Sequence, residues 1–71
     1  MQDLIFEVTQ EEDGGFVAEC LTEAIVTQSD SWGGLRDNVE EAVRGYYFDH
    51  TPADLPRIRL HLVRDESFVL A

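Results

Sequence analysis

The chain has 71 residues, 44% of them hydrophobic, with fifteen acids, five arginines, no lysine and a net charge of −10. That length makes one domain covering residues 1–71, and the apolar content is too high for a disordered acidic tail. The charge disfavours unaided binding to nucleic acid or an anionic membrane and favours a basic protein partner.

Leu4, Phe6 and Val8 alternate with Ile5, Glu7 and Thr9, which predicts a strand with one buried face. Phe16, Ala18 and Cys20 alternate with Val17 and Glu19 and predict a second. The run Gln10-Glu11-Glu12-Asp13-Gly14-Gly15 between them is a hairpin signal. A two-residue Asp13-Gly14 turn would set Val8 opposite Glu19 and mix apolar with charged faces. A three-residue loop, Glu12-Asp13-Gly14 with Gly14 left-handed, instead sets Phe6 against Cys20, Val8 against Ala18 and Gln10 against Phe16. A one-residue slip would turn every side chain over, so the three-residue loop is expected.

Ala24 to Gln28 reads as a short third strand. The period then changes: Trp32, Leu35, Val39, Ala42, Val43 and Tyr46 form one stripe of a four-turn helix, capped by Asp30 or Ser31. Gly33 and Gly34 in its first turn are poor helix formers, so that end either frays or lets the backbone approach something closely. Pro52 and Pro56 bracket a loop that begins near Asp49. Ile58, Leu60 and Leu62 alternate with Arg57, Arg59 and His61 in a fourth strand that continues through Val63. Phe68-Val69-Leu70 is a candidate extension beyond a kink at Arg64-Asp65-Glu66. The order β-β-β-α-β predicts an α+β fold, a four-stranded mixed sheet with one helix packed on one face. A right-handed crossover would bring the last strand beside the first and parallel to it. The other face would show Ile5, Glu7, Val17, Glu19, Arg59 and His61.

Three segments together resemble the HicB-like antitoxin family. They are the hairpin Asp13-Gly14-Gly15-Phe16-Val17-Ala18-Glu19-Cys20, the stretch Val26-Thr27-Gln28-Ser29-Asp30-Ser31, and Leu35-Arg36-Asp37-Asn38-Val39-Glu40-Glu41-Ala42-Val43. The resemblance covers about residues 4 to 48 and implies a partial ribonuclease-H-like domain. It further implies that the chain neutralises a small basic HicA-like toxin, an mRNA-cleaving ribonuclease, in a type II toxin–antitoxin pair. Leu21-Thr22-Glu23-Ala24 stands where members often carry Pro-Asp-Leu-Pro-Gly, and Gly33-Gly34 where Glu-Glu is usual. The DNA-binding module that many members carry after this domain is not in these 71 residues, so repression by direct operator binding is not expected.

Candidate chemistry is sparse. Glu7 and Glu19 can face each other near Arg59 and His61, and a cross-strand salt-bridge network is the expected reading over a two-metal nuclease site. His50 and His61 have no partner at zinc spacing, and the glycine pairs are not followed by the Lys-Ser/Thr of a phosphate loop. Cys20 falls on the apolar face of its strand, and as a lone cysteine it points to a reducing cytoplasm. Neither a signal peptide nor a membrane span is expected. No catalytic residue, metal ligand or cofactor site is expected, and the chain reads as a binding protein and not an enzyme. Trp32 reads as a core anchor; of the consecutive Tyr46, Tyr47 and Phe48, Tyr46 completes the stripe and one of the others marks an interface. Eight acids precede the first base, Arg36. Of these, Glu11, Glu12 and Asp13 at the hairpin tip, with Glu23 and Asp30 on the connections, lack counter-charges and are the expected contacts to a basic partner. A core this small, without disulfide or metal, also favours a homodimer. The alternative is a stand-alone regulatory or ligand-binding domain with no toxin.

Overall fold

A computed structural model describes residues 3–51, 55–64 and 67–70. The elements run β1 (Asp3–Gln10), β2 (Phe16–Cys20), β3 (Val26–Ser29), α1 (Trp32–Tyr46) and β4 (Arg57–Val63). The sheet order is β3-β2-β1-β4. β1 pairs antiparallel with β2 and parallel with β4, and β2 pairs antiparallel with β3. The fold is α+β, a four-stranded mixed sheet with one helix against it, as the periodicity predicts.

The hairpin register is set by which side chains must be dry. Phe6 stands opposite Cys20, Val8 opposite Ala18 and Gln10 opposite Phe16. The loop closes with Gly14 at φ 95°, a conformation that disfavours any residue with a Cβ. Its N–H donates to the Glu11 carbonyl at 2.9 Å, and the Glu11 N–H donates to the Gly15 carbonyl at 2.7 Å. Leu4, Phe6, Val8, Ala18 and Cys20 thereby share one face and are buried with Ile25, Leu35, Val39 and Val43. Burying one large apolar side chain contributes about 1.5–3 kcal/mol. A slipped register would forfeit several such terms at once.

The helix begins where a hydroxyl can cap it. Ser31 is extended (φ −136°, ψ 158°), and its Oγ accepts from the Gly34 N–H at 3.0 Å; Asp30 does not cap. Leu35, Val39 and Val43 are buried beneath the helix, which lies over β2 and β3. Two ends of the predicted stripe depart from expectation. Trp32 is 39% exposed, its ring edge-on to Phe16 at 5.5 Å, so it sits at the rim of the core and does not anchor it. Tyr46 is 47% exposed. The backbone leaves helical geometry at Tyr47 (φ −108°, ψ 33°), and that ring packs against the core in place of Tyr46. Phe48 is exposed.

Two strand boundaries also differ. β3 starts at Val26, because Ile25 turns inward as a core residue, its carbonyl accepting from the Cys20 N–H at 2.9 Å. β4 ends at Val63, and Phe68, Val69 and Leu70 extend no strand and are exposed. Asp65 and Glu66 of the expected kink, and Pro52 of the expected loop, lie outside the described residues.

The two helix-start glycines differ in surroundings. A Cβ at Gly33 meets nothing within 4 Å, whereas one at Gly34 would collide with the Ser29 hydroxyl and crowd the capping Ser31 Oγ at 3.0 Å. Gly33→Ala is therefore expected to raise stability by about 0.5–1 kcal/mol, through a stiffer unfolded chain and better helix propensity. Gly34→Ala is expected to lower it by about 1 kcal/mol through loss of the cap. Urea denaturation of the two variants checks the opposite signs.

Candidate partner-binding site

The hairpin loop and the β3–α1 connection meet at one end of the sheet. Phe16 pairs with Ser29, so Gly15 and Asp30 flank the last rung of the β2–β3 ladder. Glu11, Asp13 and Asp30 line a shallow cleft of about 370 Å³ there, floored by Gly15, Phe16, Val17, Gln28 and Ser29. Both aspartates border Gly15: a Cβ on it would crowd Asp13 Oδ1 at 3.3 Å, and would lie at ordinary contact distance from the Ser29 carbonyl, 3.4 Å, and Asp30 Oδ1, 3.9 Å. Asp13 Oδ1 accepts from the Gly15 N–H at 3.0 Å, which orients that carboxylate. The ion pairs among the described residues join Arg44 to Glu40, His50 to Asp49 and Arg57 to Asp3, and none reaches Glu11, Glu12, Asp13 or Asp30. Three carboxylates around one concavity suit a guanidinium or ammonium group, which can donate several charge-assisted hydrogen bonds at once. Among the described residues, no three His, Cys, Asp or Glu side chains are placed to hold a metal ion.

Of the five acids singled out in the sequence, the fold thus brings Glu11, Asp13 and Asp30 together, with Glu12 beside them on the exposed loop. Glu23 lies elsewhere and is already engaged: its Oε2 accepts from the Tyr46 hydroxyl at 2.8 Å. That contact raises the Tyr46 pKa above 10.0, first by the hydrogen bond to Glu23 and then by the carboxylate's charge. Tyr47 is raised mainly by burial, with Glu23 adding to it.

The open face carries the residues expected of it, but the salt-bridge network is absent. Glu7 stands directly opposite Glu19, and its neighbour on β4 is His61, while Arg59 is beside Ile5. Like charges face each other, an unfavourable arrangement, and the parallel register places Arg59 one rung off. Instead Arg57 reaches Asp3, its Nε 3.2 Å from Oδ1 and its Nη2 3.2 Å from Oδ2. This pairing lowers the Asp3 pKa and raises that of Arg57.

One contact between helix and sheet edge has no local signal in the sequence. The Asn38 side-chain amide donates to the Gln28 carbonyl at 2.9 Å and occupies an outward-facing acceptor of edge strand β3. The convergence of Asp13 with Asp30 did have a signal, the pairing of Phe16 with Ser29. It could be read only after both strand boundaries were known.

No family model matches the chain, and no solved structure does. A UPF0150 protein of Thermotoga maritima is 28% identical to it over 51 residues, 72% of this chain and 73% of that protein. No helix among the described residues is long and apolar enough to cross a membrane.

The Glu23–Tyr46 contact has a titration signature. Folding favours the neutral phenol, so this contribution is fully present below the unfolded pKa near 10.0 and is lost as pH rises through the raised folded value. Ultraviolet titration of the native chain should show tyrosine ionising above 10.0, and Glu23→Gln should bring the Tyr46 transition back toward it. An unchanged titration in that variant would contradict the assignment.

Proposed function

We propose that this chain is an antitoxin of the HicB-like kind, which binds and inhibits a small basic ribonuclease and does no chemistry of its own. The observation that carries the reading is the cleft of Glu11, Asp13 and Asp30, three carboxylates without an ion-pair partner among the described residues. A ribonuclease that grips RNA phosphates presents arginines and lysines around its catalytic groove. An acidic surface complementary to that groove both steers encounter and competes for the same cations. The Thr27-Gln28-Ser29-Asp30-Ser31 stretch, which carries much of the family resemblance, runs along this cleft and into the helix cap, so the resemblance and the electrostatics point to one surface.

Binding in place of catalysis fits the surroundings of the other acids. Glu7 and Glu19 are exposed on a sheet face, and Cys20 is a buried free thiol whose sulfur contacts the Thr22 hydroxyl at 3.8 Å. The cytoplasm, where such a toxin cleaves mRNA, is the matching compartment.

Co-expression with the product of an adjacent small basic gene tests the reading. The native chain should form a complex with it and restore growth. The triple variant Glu11→Gln/Asp13→Asn/Asp30→Asn keeps the loop acceptor at position 13 and removes the charges. It should fold normally and associate about tenfold more slowly or worse. Persistent toxicity and no complex with the native chain would end the antitoxin reading and leave the stand-alone regulatory domain.

A further inference from the structure

The second candidate surface lies on the opposite side of the sheet's midline. The helix leans over β2 and β3, so the inner face of edge strand β4 is only half covered. A groove of about 480 Å³ runs there between α1 and β4, with Val39, Val43, Ile58 and Leu60 in its walls and Trp32 at one end. Leu62 continues the same face and is 42% exposed. Arg36 and Arg44 line the groove together with Glu40, whose Oε1 is 3.1 Å from Arg44 Nη2, while Arg57 and Arg59 lie on the opposite face of β4, beside Asp3 and Ile5. Two arginines against one glutamate make the groove lining net positive in a chain of net charge −10.

The chain also carries an apolar segment that its own fold leaves largely exposed. Phe68, Val69 and Leu70 are 79%, 92% and 87% exposed. In sequence they directly follow two acids, Asp65-Glu66, and a serine. An apolar segment led by acids complements an apolar groove whose charged lining is net positive. The segment is also short enough to fit within the groove. From Trp32 to Arg44 the helix rises about 18 Å, and four extended residues, Ser67 to Leu70, span about 13 Å.

We propose that this side is an interface between two copies of the chain, in which residues 67–70 of each copy lie in the α1–β4 groove of the other. Reciprocal exchange closes under two-fold symmetry, so it yields a dimer and not a filament. It covers three exposed apolar side chains and the half-open β4 face in one step. The groove shares no lining residue with the acidic cleft, and the inference does not rest on the antitoxin reading.

Trp32, the chain's one tryptophan, lines the groove and reports its occupancy. The test combines sedimentation equilibrium with tryptophan emission across a concentration series, on the native chain and on Phe68→Glu/Leu70→Glu. Both substituted residues are exposed, so the variant keeps the fold, which circular dichroism verifies. The native chain should be a dimer, with emission that shifts to the blue as concentration rises, and the variant should be a monomer with emission fixed at the low-concentration value. A monomeric native chain whose Trp32 emission does not change with concentration would overturn the proposal, including the case of a tail folded onto its own groove. So would a dimer that survives the double substitution.

Discussion

The parallel pairing of β4 with β1 is the contact on which the rest of the molecule depends. It joins Asp3 to Arg57 and Thr9 to Val63 across most of the chain, and it makes β1 the second interior strand of the sheet. Without it, Leu4, Phe6 and Val8 would lack neighbours on one side, and the core would have to rest on three strands and the helix. The pairing is made of non-local contacts, whose loop-closure entropy must be met before they contribute, so it is also the slow step expected of folding. One exposed ion pair, Arg57 with Asp3, sits at its first rung. Exposed pairs of this kind contribute little to stability. Apolar burial along Leu4, Phe6, Val8, Ile58 and Leu60 therefore holds the strand in place.

That pairing also divides the charge. Every arginine belongs either to β4, to the residue after it, or to the helix face beside it. No ion pair among the described residues joins these arginines to Glu11, Glu12, Asp13 or Asp30 of the first hairpin and the β3–α1 connection. The small acidic protein thereby offers two different surfaces: an acidic cleft where a basic partner is proposed to dock, and an apolar groove lined by Arg36, Arg44 and Glu40 where a second copy is proposed to dock. The two surfaces share no lining residue and adjoin where Trp32 meets Phe16.

The fold was largely legible because its two periods are clean. Alternation at Leu4-Phe6-Val8 and Phe16-Ala18-Cys20 admits one register that keeps both apolar faces together, and the observed pairs are those of that register. The helix stripe was legible in its middle, at Leu35, Val39 and Val43, but not at its ends. There the outcome depends on where the helix sits on the sheet and where its backbone unwinds, which put Trp32 at a rim and exchanged Tyr47 for Tyr46. At the candidate site, unpaired acids could be listed from the sequence but not assembled. Glu23 found a phenol twenty-three residues away, while Asp30 came to Asp13 through a ladder whose register is a tertiary property. The Glu7–Glu19 network failed for the same reason, since a parallel strand shifted by one rung delivers His61 and not Arg59.

The central claim is that charge on the cleft draws in a basic ribonuclease. The most direct measurement is the association rate of the native chain with such a toxin, followed from low to high salt. Steering by unscreened charge predicts a fall of about tenfold or more between roughly 0.02 and 0.5 M salt, because the screening length shrinks to a few ångströms. An association rate that does not change with salt would contradict the account.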